Sequence, residues 1–219
     1  MNKDHGTKID FKKIADFENG EDKGPALDMY VPWIPDKSKS GPTIGTGIDL
    51  GQQSKKELEK LTFPGLNDAE KTALLKKLEP YFGLQKQAAC NYVAKNPLSI
   101  SEKEANALTT AVKKPNIERA KKLWNDGSPE KKFHELEPEQ QTVILSRTYQ
   151  EGKGWTTRET LKPFLDAAKE GDWETAASVY QDGNAGYPQR FLLEYNLLDK
   201  ANLRAAEAKE AAAAKATTK

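Results

Sequence analysis

A β-rich segment inside an otherwise helical pattern constrains this chain more than any other feature. Between Met29 and Gly51 the sequence is rich in β-branched, aromatic, glycine and proline residues, which favour short strands and tight turns. Before this segment, Thr7–Asp10 has the form of a capping box, and apolar residues then recur at helical spacing to about Glu18. The helical pattern resumes after Ser54. The sequence therefore predicts an α+β fold, predominantly α-helical, with a small N-terminal β-lobe and a larger helical lobe.

The two predicted lobes have approximate bounds. The β-lobe spans about residues 20–53, and the helical lobe spans about residues 54–198 and includes the first helix. Breaks in the helical pattern are expected at turns that contain proline or glycine, among them Lys114–Pro115. After residue 198 the composition is reduced to little but Ala, Lys and Glu, which favours helix but supplies no apolar face. Residues 1–198 thus form one predicted domain, and residues 199–219 form a predicted C-terminal tail, either a frayed extension or a linker.

Composition argues against several classes of function. The 34 Lys and Arg residues nearly balance the 33 Asp and Glu residues, and the formal net charge of +1 disfavours nucleic-acid binding. Two histidines and one cysteine supply few metal ligands, so no metal or other cofactor is expected, and Cys90 is expected to be a buried structural thiol. No apolar stretch follows the start of the chain, so neither a signal peptide nor membrane insertion is predicted.

A glutamate at the end of the first predicted helix precedes a glycine-rich segment that contains a threonine and an aspartate. Near the helix C-terminus, the dipole disfavours an ionised Glu18, which suits a proton donor. Thr43–Gly47 reads Thr-Ile-Gly-Thr-Gly, and Asp49 follows, so a carboxylate and a hydroxyl could together hold a water molecule. Taken alone, the same residues also fit structural roles: a surface glutamate, a strand threonine, and an aspartate that forms a turn or caps a helix.

This arrangement resembles the phage-type lysozymes and, more closely, the pesticin-like muramidase domains, in which an aspartate follows the Thr-Ile-Gly segment. Later parts of the chain extend the resemblance from about Phe11 to Leu198, because they occur in the order that the phage-type helical lobe places similar residues. These parts are Tyr149–Gly152, Trp173–Ala177 and Tyr187–Arg190.

The resemblance implies hydrolysis of the β-1,4 bond between N-acetylmuramic acid and N-acetylglucosamine, with inversion and without a cofactor. Glu18 would protonate the leaving oxygen, while water held by Asp49 and Thr43 attacks the opposite face of the sugar. Inversion requires the two carboxyl groups to lie about 6.5 to 9.5 Å apart.

The resemblance also assigns residues of the helical lobe to substrate binding. Tyr149 and Gln150 match positions that touch the glycan and the peptide stem, and Gly152 would allow close approach of the backbone. Arg190 matches an arginine that pairs with the catalytic glutamate, a contact that would lower the pKa of Glu18. Arg147 is the alternative for this pairing.

One departure from the phage-type pattern leaves the second carboxylate open. Phage-type enzymes carry the aspartate ahead of the threonine and a histidine after the second glycine, a position that Ile48 occupies here. Asp36 is therefore a rival to Asp49. Asp49 is favoured because the pesticin-like aspartate lies six residues after the threonine, and because Asp36 lies in a predicted solvated loop tip.

Two further functions and two biological settings stay open. A non-catalytic peptidoglycan-binding module and a hydrolase of chitin-like or chitosan-like polymers fit the same fold. The chain is expected to be either a phage endolysin or an antibacterial toxin or effector, and the pesticin-like features favour the toxin. It is expected to be a monomer, made in the cytoplasm, that acts on periplasmic peptidoglycan strands after delivery. A toxin would also need an immunity protein as a partner.

Overall fold

The computed structural model describes residues 7–19, 24–32, 40–151, 156–181 and 188–217. The chain divides into two compact units, which we call the sheet unit, Glu18–Pro115, and the helical unit, formed by Met1–Phe17 and Asn116–Lys219. The fold is α+β and mostly helical, as predicted. The units differ from the expected lobes, because the sheet unit extends far beyond residue 53. A sheet this small cannot bury its own face, and the helices that follow supply its core.

A three-stranded antiparallel sheet begins the sheet unit. Strand β1 is Ala26–Tyr30, β2 is Thr43–Gly45 and β3 is Ile48–Asp49, in the spatial order β1-β2-β3. The connection between β2 and β3 is tight because Gly45 and Gly47 have φ angles of 65° and 66°, which side chains rarely tolerate. The predicted β-rich segment is thus a sheet, with its hairpin where the Thr-Ile-Gly-Thr-Gly sequence lies.

Helices pack on the sheet to complete the core of the sheet unit. They are α2 (Lys55–Glu59), α3 (Asp68–Leu78), α4 (Lys86–Lys95) and the first part of α5 (Glu102–Asn125), with 3-10 turns at Leu50–Gln52 and Glu79–Tyr81; α1 (Phe11–Asn19) precedes them. Apolar side chains of the sheet, Ile44 and Ile48, are buried with those of the helices, such as Leu74 and Leu108. This cluster fixes the face on which the hairpin can present polar groups.

The helical unit contains a second core. Its helices are α6 (Pro138–Glu151), α7 (Lys162–Lys169), α8 (Trp173–Gln181) and α9 (Pro188–Thr217), with a 3-10 turn at Phe133–Glu135. Trp124 stacks on Trp173 with ring centroids 5.6 Å apart, and Ile14, Ile144 and Phe164 are fully buried around them. None of the described helices is long and apolar enough to cross a membrane.

Helix α5 continues through the break that the sequence predicted at Lys114–Pro115. Pro115 lies inside this helix, where a proline costs about 3 kcal/mol. Apolar residues on either side, Val112 and Ile117, are buried in the two cores, and we infer that their burial outweighs that cost. The predicted break is therefore wrong.

Three other local predictions also need correction. Helix α1 begins after Asp10, whose Oδ1 accepts from the Lys13 amide at 3.1 Å, so Asp10 caps the helix in place of Thr7. Cys90 is half-buried on α4 and not fully buried. The predicted tail begins inside α9, where Ala201 is buried and Asn202 donates to the Trp173 carbonyl oxygen at 3.1 Å.

Candidate active site

The register of the sheet brings Thr43 and Asp49 together. Thr43 lies directly opposite Asp49 across β2 and β3, and directly opposite Tyr30 across β1 and β2. Directly opposed residues of antiparallel strands project from the same face of the sheet. Tyr30, Thr43 and Asp49 therefore form a row across one face, which we call the polar row. The sequence pointed to two of its members, and nothing in the local pattern distinguished Tyr30.

Backbone amides hold the Asp49 carboxylate in place. Its Oδ1 accepts from the Gly51 amide at 2.7 Å and from the Gly41 amide at 3.1 Å, and its Oδ2 lies 3.2 Å from the same Gly41 nitrogen. Burial raises the pKa of Asp49, and the amide hydrogen bonds from Gly41, Gly51 and Gln52 offset this only in part. The site thus holds a fixed carboxylate that takes up a proton more readily than an ordinary aspartate.

Two glycines make this cradle. A Cβ atom at Gly41 would lie 2.7 Å from the Gly51 Cα and 2.8 Å from Asp49 Oδ1, and one at Gly51 would lie 3.0 Å from the same oxygen. Both would also overlap the Leu84 carbonyl oxygen. The cradle needs glycine at both positions, and no local pattern distinguished Gly41, because its role depends on packing against Gly51 and the Leu84 carbonyl oxygen.

Thr43 uses its hydroxyl proton within the fold. The side chain is buried, and its Oγ1 donates to the Gly41 carbonyl oxygen at 3.1 Å. The oxygen keeps lone pairs that can accept a hydrogen bond. Thr43 can therefore orient a water molecule as a hydrogen-bond acceptor, while its own proton is donated to Gly41.

Glu18 lies against the hairpin. It is the penultimate residue of α1 and is half-buried, and a Cβ atom at Gly47 would lie 2.5 Å from its Oε2. The charges of Glu18 and Asp49 both raise the pKa of the Tyr30 phenol, in addition to the larger effect of burial. Both carboxylates therefore lie close enough to Tyr30 to act on it, and the sheet unit gathers Glu18 and the polar row in one place.

In the helical unit, Arg190 and Gln150 meet. Arg190 is buried at the start of α9, and its Nη1 donates to Gln150 Oε1 at 2.8 Å, while its Nη2 donates to Ser146 Oγ at 2.9 Å. The guanidinium carbon also lies 5.9 Å from the Phe17 ring centroid. Tyr149 is half-buried against the core of this unit. The pairing of Arg190 with Glu18 stays a prediction.

Arg147 pairs with Glu194, although the sequence suggested it as an alternative partner of Glu18. Its side chain is fully buried, its Nη2 donates to Glu194 Oε1 at 2.7 Å, and its guanidinium lies 4.5 Å from the Phe191 ring centroid. Arg147 is thus a core residue that pairs with α9, which disfavours it as a substitute for Arg190. Glu194 and Ser146, which complete this buried network, had no distinguishing sequence signal because both lie in ordinary helical positions.

Two sequence-predicted positions, Gly152 and Asp36, lie outside the described residues. Within the described ranges, no group of three or more His, Cys, Asp or Glu side chains could hold a metal ion.

Comparison with known proteins gives one family match. The family model described as Pesticin, bacterial toxin homologue of phage lysozyme, C-term, matches residues 8–174, which is more than half of the chain and includes the whole polar row. A search of curated proteins gave no match.

Proposed function

We propose that this chain, which belongs to the pesticin family of bacterial toxin homologues of phage lysozyme, is a muramidase. It would cleave the β-1,4 bond between N-acetylmuramic acid and N-acetylglucosamine in bacterial peptidoglycan. The observation that carries the proposal is the convergence of Glu18 with Thr43 and Asp49 in the sheet unit. Two carboxyl groups facing one site are what glycoside hydrolysis requires.

The proposed reaction divides the work between the two carboxyl groups. Protonated Glu18 donates its proton to the glycosidic oxygen as the bond to C1 of N-acetylmuramic acid breaks, which frees the 4-hydroxyl of N-acetylglucosamine. A water molecule attacks C1 from the opposite face, and Asp49 accepts the proton that it loses. Thr43 Oγ1 accepts a hydrogen bond from this water, because its own proton is bound to Gly41. The product is a reducing N-acetylmuramic acid of inverted configuration.

The raised pKa of Asp49 supports its role as the base. A general base is most effective when its pKa lies near the working pH, and burial moves this carboxyl in that direction. The amides of Gly41 and Gly51 fix its orientation, so the water would be held without reorganisation of the site.

Residues of the helical unit are proposed to bind the substrate. Gln150 gives its carbonyl oxygen to Arg190, so its amide nitrogen can donate to the glycan or the peptide stem. Tyr149, Gly152 and Arg190 keep the roles that the family resemblance assigns to them.

We propose that the biological setting is that of an antibacterial toxin, because the family description names bacterial toxins. Such a toxin would act on the periplasmic peptidoglycan of a target cell after delivery, and its producer would need an immunity protein. A phage endolysin has the same chemistry, and the two settings differ in whether the producing cell carries a neutralising partner.

The proposal can be tested on purified peptidoglycan sacculi. The rate of turbidity loss would be measured, and the released fragments would be identified by mass spectrometry, for the wild type and for Glu18→Gln. Glu59→Gln is the control, because Glu59 is an exposed residue of the same unit. We expect fragments that end in reducing N-acetylmuramic acid from the wild type and the control. Glu18→Gln should lose about 10²- to 10⁴-fold of the activity.

Other outcomes would contradict specific parts of the proposal. Full activity of Glu18→Gln would exclude Glu18 as the acid. Tight co-sedimentation of the wild type with sacculi, without fragment release, would indicate a binding module. Cleavage of chitin or chitosan but not of sacculi would change the substrate class.

A further inference from the structure

Tyr30 completes the polar row, but its hydroxyl has no role in the described fold. It lies directly opposite Thr43 on the side away from Asp49, and neighbouring strands are about 4.8 Å apart. The ring is half-buried, and among the described residues the hydroxyl has no hydrogen-bond partner. Tyr81 in the same unit differs, because its hydroxyl donates to the Asn96 carbonyl oxygen at 2.7 Å. The Tyr81 hydroxyl thus takes part in the hydrogen bonding of the fold, whereas, within the described ranges, the Tyr30 hydroxyl can donate to a bound molecule.

The phenol of Tyr30 keeps its proton at neutral pH. Burial raises its pKa, and the charges of Glu18 and Asp49 raise it further. A neutral phenol beside two carboxyl groups is both a donor and an acceptor, and its ring offers an apolar surface. These properties suit contact with a sugar, which presents hydroxyl groups at its edges and C–H groups on its faces.

The Asp49 contacts show that Tyr30 does not hold that carboxylate. Among the described residues, the groups that donate hydrogen bonds to the Asp49 carboxylate are backbone amides, those of Gly41 and Gly51 in the cradle and that of Gln52. The Tyr30 hydroxyl is therefore left for a molecule that binds over the row.

We propose that Tyr30 is a substrate-contacting residue, whose hydroxyl donates a hydrogen bond to an oxygen of the sugar bound beside Glu18 and Asp49. This inference rests on the proposed muramidase function and adds a residue to its substrate site. Thr43 lies between Tyr30 and Asp49, so the same sugar would lie over the threonine that orients the water.

The test is Tyr30→Phe, which removes the hydroxyl and keeps the ring. Tyr92→Phe is the matched control, because Tyr92 is also half-buried in the sheet unit and its ring packs edge-on against Tyr81 at 5.4 Å. Calorimetry would measure the affinity for a soluble oligosaccharide of alternating N-acetylglucosamine and N-acetylmuramic acid, in a Glu18→Gln background that prevents cleavage. In variants that keep Glu18, kcat and KM would be measured on the same oligosaccharide.

We expect Tyr30→Phe to weaken binding and raise KM by about 3- to 10-fold, the equivalent of one uncharged hydrogen bond. Tyr92→Phe should leave both unchanged, and the thermal unfolding midpoints of the two variants should agree.

Equal affinities for Tyr30→Phe and Tyr92→Phe, with an active wild type, would overturn the role of Tyr30 alone. Unchanged affinity with a shifted pH profile would also overturn it, because the hydroxyl would then act on a carboxyl group. A wild type that neither binds nor cleaves the oligosaccharide or sacculi would instead refute the muramidase proposal.

Discussion

The two units hold the ionisable groups that they shield from solvent in different ways: Asp49 of the sheet unit is half-buried, and Arg190 of the helical unit is buried. In the sheet unit, the Asp49 carboxylate is bound by backbone amides of two glycines that are packed against each other. In the helical unit, Arg190 is bound by the side chains of Ser146, Gln150 and Glu194. The amide cradle of Asp49 depends on the close approach of two backbone segments. The side-chain network around Arg190 depends on pairing its positive charge with a carboxylate. The first should fail when a Cβ is added, and the second when a partner is removed.

The largest effect is expected from Glu194→Ala. The Glu194 carboxylate accepts from Ser146 Oγ and is shared by Arg147 at 2.7 Å and Arg190 at 3.4 Å. Its removal leaves two guanidinium groups in the core without this anion, so we expect the free energy of unfolding to fall by about 3 to 5 kcal/mol. Urea denaturation would measure the loss, with Glu207→Ala on the exposed part of α9 as control. A loss no larger than that of the control would show that the network contributes little.

Gly47→Ala should affect the sheet unit in two ways. Its φ angle of 66° costs a side chain about 1 to 2 kcal/mol, and the new Cβ would displace the Glu18 carboxylate. Gly24 is the matched control, because it has the same φ angle of 66° and, among the described residues, no atom lies within 4 Å of an added Cβ.

Both glycine variants should lose similar stability, measured by denaturation. Only Gly47→Ala should also lose activity on sacculi, by about 10² -fold as expected for a misplaced catalytic group. Equal activity in the two variants would mean that Glu18 is not constrained by the hairpin.

A smaller effect is expected from the ionisation of Asp49. Its pKa in the folded chain is raised above the ordinary value of 3.8, so the folded state binds the proton more tightly than the unfolded state does. Stability from this group is therefore present below pH 3.8 and is lost as the pH rises through the folded pKa.

Denaturation of the wild type and Asp49→Asn would be measured from below pH 3.8 to above the folded pKa of Asp49. The difference between them isolates the contribution of Asp49, since both proteins contain all the other carboxyl groups. The stability of the wild type relative to Asp49→Asn should decline with rising pH and then become constant. The acidic limb of kcat/KM should also lie above the usual aspartate range. A relative stability that increases with pH would contradict the raised pKa.

Much of the fold could be predicted because its signals are local. A capping box forms at Ser101–Glu104, where the Glu104 carboxylate accepts from the Ser101 amide at 2.8 Å, and its local signal is the Ser-x-x-Glu sequence. The Thr-Ile-Gly-Thr-Gly hairpin and the glutamate at the end of α1 also lie where the sequence placed them. The helix break predicted at Pro115 was wrong, because the expectation that proline ends a helix does not take account of the burial of neighbouring apolar residues.

The candidate site was predictable only in part, because only some of its contacts join residues that are close in the sequence. Because the tight hairpin pairs Thr43 with Asp49, a short spacing in the sequence was enough to associate them. Tyr30 joins the site by pairing with Thr43 across β1 and β2, and Gly41 joins it by packing against Gly51 and the Leu84 carbonyl oxygen; neither residue has a local signature.

The sequence by itself determined most of the helices, the tight turn of the hairpin and the residue types available for hydrolysis, since periodicity, capping and glycine turns act over a few neighbouring residues. Only the tertiary structure decided which groups meet: Glu18 with Gly47, Tyr30 with Thr43, and Arg147 with Glu194. Such contacts depend on which apolar faces are buried together, and that choice is made by the whole core and not by any single segment.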